Sequence, residues 1–281
     1  MFRSRFEWYD RVLQRYPIPY ESQVVATNLG PTHVLASGPR DAQPLVLIHG
    51  GNDTALGWIN QVGTLSAHFR VYAIDLPGYP GKSVARRLSS YGSGTADWLA
   101  QTLDGLKLQQ ANVIGLSLGG WVALKFAVRH PARISRLGLL VPAGIVRPRL
   151  RTLLLCVLSS VLPSRWGWDR LKRAIAAKPL DPTYMACLAE ASRHQNRFTV
   201  AYPSLIDDES LRQLTMPVLL VVGASDFFCD PTAVIERVRR TIPGARIEQL
   251  SECNHLLLND QPALTMEAIL AFFGVESLRV M

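Results

Sequence analysis

The chain has 281 residues, of which 48% are apolar and 19% charged, a mixture that supports a core of ordinary globular size and excludes disorder, collagen and coiled coil. The formal net charge is +8, which raises nucleic acid or an anionic surface as a partner. The excess is local: between Pro142 and Leu205 ten basic residues stand against three acidic, while the rest of the chain has 20 against 19.

In chain order, the first sixteen residues read as a helix packing Phe2, Phe6, Tyr9 and Leu13. Residues 22–28 and 32–37, separated by Gly30-Pro31, read as an antiparallel hairpin at a sheet edge. The apolar run 44–49, closed by Gly50-Gly51, has the pattern of a parallel strand buried on both faces. Similar runs recur at 70–74, 111–115, 137–141 and 218–222. Helical spacing lies between them over 95–106, where Trp98, Leu99, Leu103 and Leu106 share a face, and over 121–128, stopped by His130-Pro131. The β-then-α rhythm predicts a parallel sheet wrapped by helices. It breaks after Pro142, where helical stretches punctuated by Pro148, Pro163, Pro179 and Pro182 contain no obvious strand, and resumes at Met216-Pro217. A helix over 230–242, a strand over 246–250 and a last helix over 262–273 complete the pattern. The organisation expected is one α/β core, residues 1–141 and 206–281, carrying a helical insertion over 142–205.

Gly115-Leu-Ser117-Leu-Gly119-Gly120 lies between a predicted strand and a predicted helix, the pattern of a nucleophile elbow. A sharp turn there strains the serine, and the flanking glycines let strand and helix approach closely. A serine hydroxyl is a weak nucleophile until a base takes its proton, and the base needs a carboxylate to hold its tautomer. Asp226, three residues past the strand-ending Gly223, and His255, five past Leu250, follow Ser117 in the order this architecture uses. Asp230 shares the loop with Asp226, but Pro231 behind it and the spacing of Val234, Ile235 and Val238 mark it as a helix N-cap. Oxyanion donors are expected at the backbone N–H of Leu118 and in the loop His49-Gly50-Gly51-Asn52, at Gly51 or its neighbour Asn52. His49 is expected to hydrogen-bond that loop.

On these residues the chain resembles the α/β-hydrolase superfamily, and within it the carboxylesterase-like serine hydrolases. The resemblance rests on His49-Gly50-Gly51, on Asp75-Leu-Pro-Gly78-Tyr-Pro-Gly81-Lys-Ser83, on the elbow, on Gly223-Ala-Ser-Asp226, and on Asn254-His255 with Asp260-Gln-Pro262. It implies a mostly parallel eight-stranded sheet flanked by helices, with the insertion after the sixth strand as a helical cap over the site. It also implies cleavage of small to medium carboxylic esters through an acyl-enzyme, with Ser117, His255 and Asp226 as the triad. One departure stands out: Cys253-Asn254 occupies the place where glycine usually precedes the histidine. A lyase, a non-haem peroxidase or a non-catalytic ligand-binding protein on the same scaffold is the alternative, because fold does not fix function.

Other chemistries lack their residues. Gly81-Lys82-Ser83 has Leu76 where a phosphate loop needs glycine, and Pro80 removes an N–H. Neither HExxH nor CxxC occurs, so no metal or other cofactor is expected, and Cys156, Cys187, Cys229 and Cys253 read as reduced thiols. The basic excess reads as a solvated face, with Trp166 and Trp168 packing or lining the insertion, and no nucleic-acid partner is expected. The longest apolar run, 153–162, has ten residues and two serines, short of the roughly 20 that span a bilayer. Charge throughout residues 1–10 does not fit a signal peptide, so a cytoplasmic location is the expectation.

Overall fold

The computed structural model describes residues 6–152, 154–155, 174–194 and 203–275. Phe2, Cys156, Trp166, Trp168 and all of the run 153–162 except Leu154 and Leu155 lie outside the described residues.

Apolar side chains on both sides of the inner strands give the sheet two buried faces, and both are covered. Strands β1 (Tyr20–Thr27), β2 (Gly30–Ser37), β3 (Pro44–Ile48), β4 (Arg70–Ile74), β5 (Ala111–Leu116), β6 (Ile134–Leu140), β7 (Val218–Gly223) and β8 (Arg246–Leu250) form one sheet in the order β1-β2-β4-β3-β5-β6-β7-β8. The β1–β2 hairpin and the β2–β4 pair are antiparallel, and every other pairing is parallel. Val46, Ile48, Val113, Leu220 and Val222 point to one face, where they pack with Trp98, Leu99 and Leu103 of α3 (Gly94–Gly105), with Trp121 and Phe126 of α4 (Leu118–Arg129) and with Val234 and Val238 of a later helix. Their neighbours one residue away, Leu45, Leu47, Ile114, Leu219 and Val221, point to the other. That face meets Trp8 and Tyr9 of α1 (Glu7–Leu13), Leu65 of α2 (Val62–Ser66), and Ile269, Phe272 and Phe273 near the C-terminus. The period of two in a strand buried on both sides thus appears as a near-continuous apolar run.

After β6 come α5 (Pro182–His194) and the short α6 (Asp208–Arg212), then β7. The two ends of this excursion meet at its base: Ile206 N donates to Gly144 O at 2.9 Å, and the Trp121 indole N–H donates to Ser204 O at 3.0 Å. No strand occurs among the described residues between β6 and β7. The chain closes with α7 (Pro231–Thr241), β8, the single turn α8 (Leu257–Asp260) and α9 (Pro262–Phe273). Helix α4 starts three residues earlier than its apolar spacing suggests, because Gly119 and Gly120 hide its first turn from a periodicity reading. No helix among the described residues is long and apolar enough to cross a membrane.

The loop after β4 folds around a carboxylate. Buried Asp75 accepts from Ala55 N at 2.7 Å through one oxygen, and from Lys82 N at 2.9 Å and His33 Nδ1 at 2.8 Å through the other. Ser83 Oγ donates to Asp75 O at 2.6 Å and accepts from His33 N at 2.8 Å. A Cβ on Gly81 would fall on the Asp75 carboxyl. The Gly81-Lys82-Ser83 turn therefore spends the Lys82 N–H on the protein's own carboxylate and the Ser83 hydroxyl on the Asp75 carbonyl, and Lys82 Nζ pairs with Asp10. Burial pushes the Asp75 carboxyl up, but its bond to and attraction by His33 outweigh this and hold it below the usual value. Cys187, Cys229 and Cys253, the described cysteines, are free.

Helix α7 begins as its sequence indicates: Asp230 Oδ1 accepts from Thr232 N at 3.0 Å, and Pro231 takes the first helical position. Replacing Asp230 with alanine should cost about 1 kcal/mol in denaturant unfolding; an unfolding midpoint equal to that of the unsubstituted protein would contradict the cap.

Candidate active site

Central strand β5 delivers Ser117 to the carboxyl end of the sheet, where ligands bind in open α/β folds. Ser117 has φ 51° and ψ −109°, a left-handed conformation that costs an L-residue on the order of 1 kcal/mol or more. It persists because its backbone is pinned on both sides. Ser117 N donates to Leu140 O at 2.8 Å, and Ser117 O accepts from Trp121 N at 3.2 Å and Ala143 N at 3.0 Å. A Cβ on Gly119 would strike the carbonyls of Ile48 and His49, and one on Gly115 would strike that of Gly119. Close approach of β3, β5 and α4 thus requires glycine at both places.

The loops after β7 and β8 bring the other two groups to the serine. His255 Nε2 lies 2.9 Å from Ser117 Oγ, and His255 Nδ1 lies 3.0 and 3.2 Å from the two oxygens of Asp226. Asp226 is 4% exposed and His255 8%, so water competes little for these bonds. Burial disfavours the Asp226 charge, yet the His255 ring and the N–H groups of Phe228 and Cys229 more than offset it and keep the carboxyl below its ordinary value. The Phe228 ring packs on the imidazole with centroids 4.3 Å apart. Asp230 is not in this contact and caps α7. This is a hydroxyl, a base and an orienting carboxylate in one hydrogen-bonded line, an arrangement able to activate the hydroxyl as a nucleophile.

Leu118 N belongs to the first turn of α4, where N–H groups have no partner within the helix. Opposite it runs the loop after β3. A Cβ on Gly50 would be in ordinary contact, 3.7 Å, with that of Ser117; Gly51 faces open space, and Asn52 has φ 55°. His49 holds the loop: its Nδ1–H donates to Gly50 O at 2.7 Å, and its Nε2 accepts from Leu76 N at 2.9 Å. Burial pushes the His49 ring down to about 4, so it stays neutral and keeps one tautomer at neutral pH.

The excursion between β6 and β7 touches each of these loops. Arg149 donates through its guanidinium to Asp226 O at 3.2 Å, and Thr152 Oγ1 to Phe227 O at 2.7 Å. Ile175 O accepts from His255 N at 3.0 Å. On the β3 side, Asn60 Nδ2 donates to Asp181 Oδ1 at 3.1 Å, and the Tyr184 hydroxyl faces Asp53 Oδ2 at 3.4 Å.

Three residues here carry structure that sequence reasoning did not assign: Asp53, Asn254 and Asp260. Asp53 lies just past the predicted oxyanion loop, between Asn52 and Thr54, where the sequence carries no signal that it is buried. Burial, with Asp75 adding repulsion, pushes the Asp53 carboxyl up to about 7. Cys229 and Cys253 are pushed up to about 12 by burial and by Asp226 and Asp260 respectively, so neither is a thiolate.

Because folded Asp53 holds its proton to about pH 7 against 3.8 for an ordinary aspartate, the folded state binds the extra proton. Its contribution is full below pH 3.8 and is lost as pH rises toward about 7. The stability of the wild type relative to Asp53→Asn should fall across that window, by about 1.4 kcal/mol per pKa unit. Parallel stability curves for the two proteins would contradict it.

The sequence profile of the alpha/beta hydrolase family matches residues 45–268. Over 280 residues the chain is 29% identical to a Bacillus subtilis protein described as uncharacterized carboxylesterase nap, covering 97% of this chain and 93% of that one. The crystal structure of carboxylesterase CesB (YbfK) from B. subtilis superposes with a TM-score of 0.88 at 28% identity, covering 96% of this chain and 97% of that one. That of naproxen esterase (carboxylesterase NP) from B. subtilis gives 0.87 at 28% identity, covering 97% and 99%. With the elbow, the sheet order and a profile match across most of its length, the chain belongs to the alpha/beta hydrolase family.

Proposed function

We propose that the protein is a carboxylic ester hydrolase acting on small to medium esters through an acyl-enzyme, with Ser117 as nucleophile, His255 as general base and acid, and Asp226 as orienting carboxylate. The observation that carries the reading is the continuous line from Ser117 Oγ through His255 to Asp226, at 2.9 and 3.0 Å, on a strained elbow. Relatives described as carboxylesterases, 28–29% identical over nearly the whole chain, support the same reaction class.

In the first half-reaction Ser117 Oγ bonds to the ester carbonyl carbon as His255 Nε2 takes the hydroxyl proton. Negative charge gathers on the former carbonyl oxygen, between the N–H groups of Leu118 and Gly51. Collapse breaks the bond to the alcohol oxygen, which leaves with the proton from His255. Water then repeats the sequence: it adds to the acyl carbon, gives a proton to His255, and the acid departs as Ser117 recovers its hydrogen. Asp226 keeps the proton-bearing Nδ1 turned away from the serine and offsets the transient imidazolium charge. Residues 142–205 serve as a cap over this site, on a core of residues 1–141 and 206–281. Support for the cap comes from its hydrogen bonds to the loops bearing Asp53, Asp226 and His255.

Ester kinetics test the roles directly. Ser117→Ala should lower kcat about 10⁶-fold and Asp226→Asn about 10⁴-fold, each with little change in Tm. More than a few per cent of activity in purified Ser117→Ala protein would refute the nucleophile. A panel of p-nitrophenyl esters left unturned by the purified protein would favour the lyase or the non-catalytic reading.

A further inference from the structure

The residue before His255 departs from the family pattern, and both ends of its side-chain amide are hydrogen-bonded. Asn254 Oδ1 accepts from Phe227 N at 2.8 Å and from His255 N at 2.9 Å. The first donor follows Asp226 directly and the second belongs to the histidine itself, so one oxygen holds both loops. Asn254 Nδ2 donates to Ala174 O at 2.9 Å, on the excursion between β6 and β7. The backbone at Asn254 is fixed from the opposite side: its N–H donates to Asp260 Oδ2 at 2.8 Å. The same carboxylate, fully buried, accepts from Ala177 N at 2.9 Å and Lys178 N at 3.2 Å. Asn259 adds a further tie, accepting from Asp181 N at 2.8 Å.

Glycine could supply none of the side-chain bonds. Without them Phe227 N and His255 N would lose a shared acceptor, and only the Ile175 carbonyl would still hold the His255 N–H. The Asp226–His255 contact spans two loops from neighbouring strands. Backbone bonds from Ala224 N to Leu250 O at 2.8 Å and from Ser225 N to Cys253 O at 3.0 Å join the loops up to the residue before Asp226. Beyond that point Asn254 is the one side chain among the described residues that accepts from both loops' backbones. A loop displacement of the order of 1 Å is enough to cost about 100-fold in rate when a base must meet a nucleophile in fixed geometry.

We propose that Asn254 is a positioning residue: its Oδ1 clamps the Asp226 loop to the His255 loop and so sets the geometry of the base, while its Nδ2 ties both loops to segment 174–178. The proposal rests on the assignment of Ser117, His255 and Asp226 above. It gives the excursion a part in aligning the base, since Ile175, Ala177 and Lys178 hang on the same loop.

The test compares Asn254→Gly, which removes both functions, with Asn254→Asp, which keeps an acceptor toward Phe227 and His255 and removes the donor to Ala174. Asn254→Gly should lower kcat roughly 10- to 100-fold with KM within about twofold, and Asn254→Asp should recover most of kcat. Asn254→Ala replaces the glycine variant if that one does not fold. Full kcat in the glycine variant, equal losses in the glycine and aspartate variants, or loss of folding in all three would each overturn the proposal. Ser117→Ala, run in parallel, separates the two levels: turnover surviving there refutes the triad itself, whereas an inactive Ser117→Ala beside a fully active Asn254→Gly refutes the clamp alone.

Discussion

Ser117 must hold a left-handed backbone at the point where the two central strands and a helix converge, and the surrounding structure is arranged to make that conformation affordable. The strain is on the order of 1 kcal/mol or more, and it is met by three hydrogen bonds to the backbone of one residue. Those bonds exist only if α4 sits against the end of β3 with no Cβ between them, which is why Gly115 and Gly119 admit no other side chain. The same close approach puts the first N–H groups of α4 beside the hydroxyl. A helix start, a strained serine and an open loop after β3 are therefore consequences of one packing constraint, and the histidine has only to be brought to a point already defined.

Buried aspartates organise the loops around that point. Asp75 gathers His33, Ala55 and Lys82 on the β4 side, and Asp260 gathers Asn254, Ala177 and Lys178 on the β8 side. Asp226 holds the imidazole between them. Asp75 and Asp226 sit just past the ends of β4 and β7, where backbone N–H groups have run out of sheet partners and a carboxylate can accept several at once, and Asp260 closes the single turn α8. Among the described residues Asp53 accepts from Thr54 N and the Tyr184 hydroxyl alone, and with so few donors burial raises its proton affinity while Asp75 and Asp226 keep their charge.

Much of this was legible in the residues. Both-sides-buried strands announce themselves as unbroken apolar runs, so β3, β4 and β7 stand within a residue of their expected ends, and Asp230-Pro231 marks the start of α7. The order Ser117, Asp226, His255 sufficed to select residues that the fold brings within hydrogen-bonding distance. What periodicity could not carry is polar and long-range. Asn254 looked like a mere departure before the histidine, and Asp260 like the prelude to Pro262, because their partners at residues 174–178 lie about 80 positions away. The basic excess of the insertion gave no hint that its backbone, not its charge, engages the histidine loop.

The central claim, that Ser117 is activated as a nucleophile by His255, is tested most directly by covalent capture. Intact protein treated with a fluorophosphonate should gain the mass of one phosphonyl group, located by peptide mapping on Ser117, and His255→Ala protein should label far more slowly. Modification at a different residue, or equal labelling rates in the two proteins, would contradict the account.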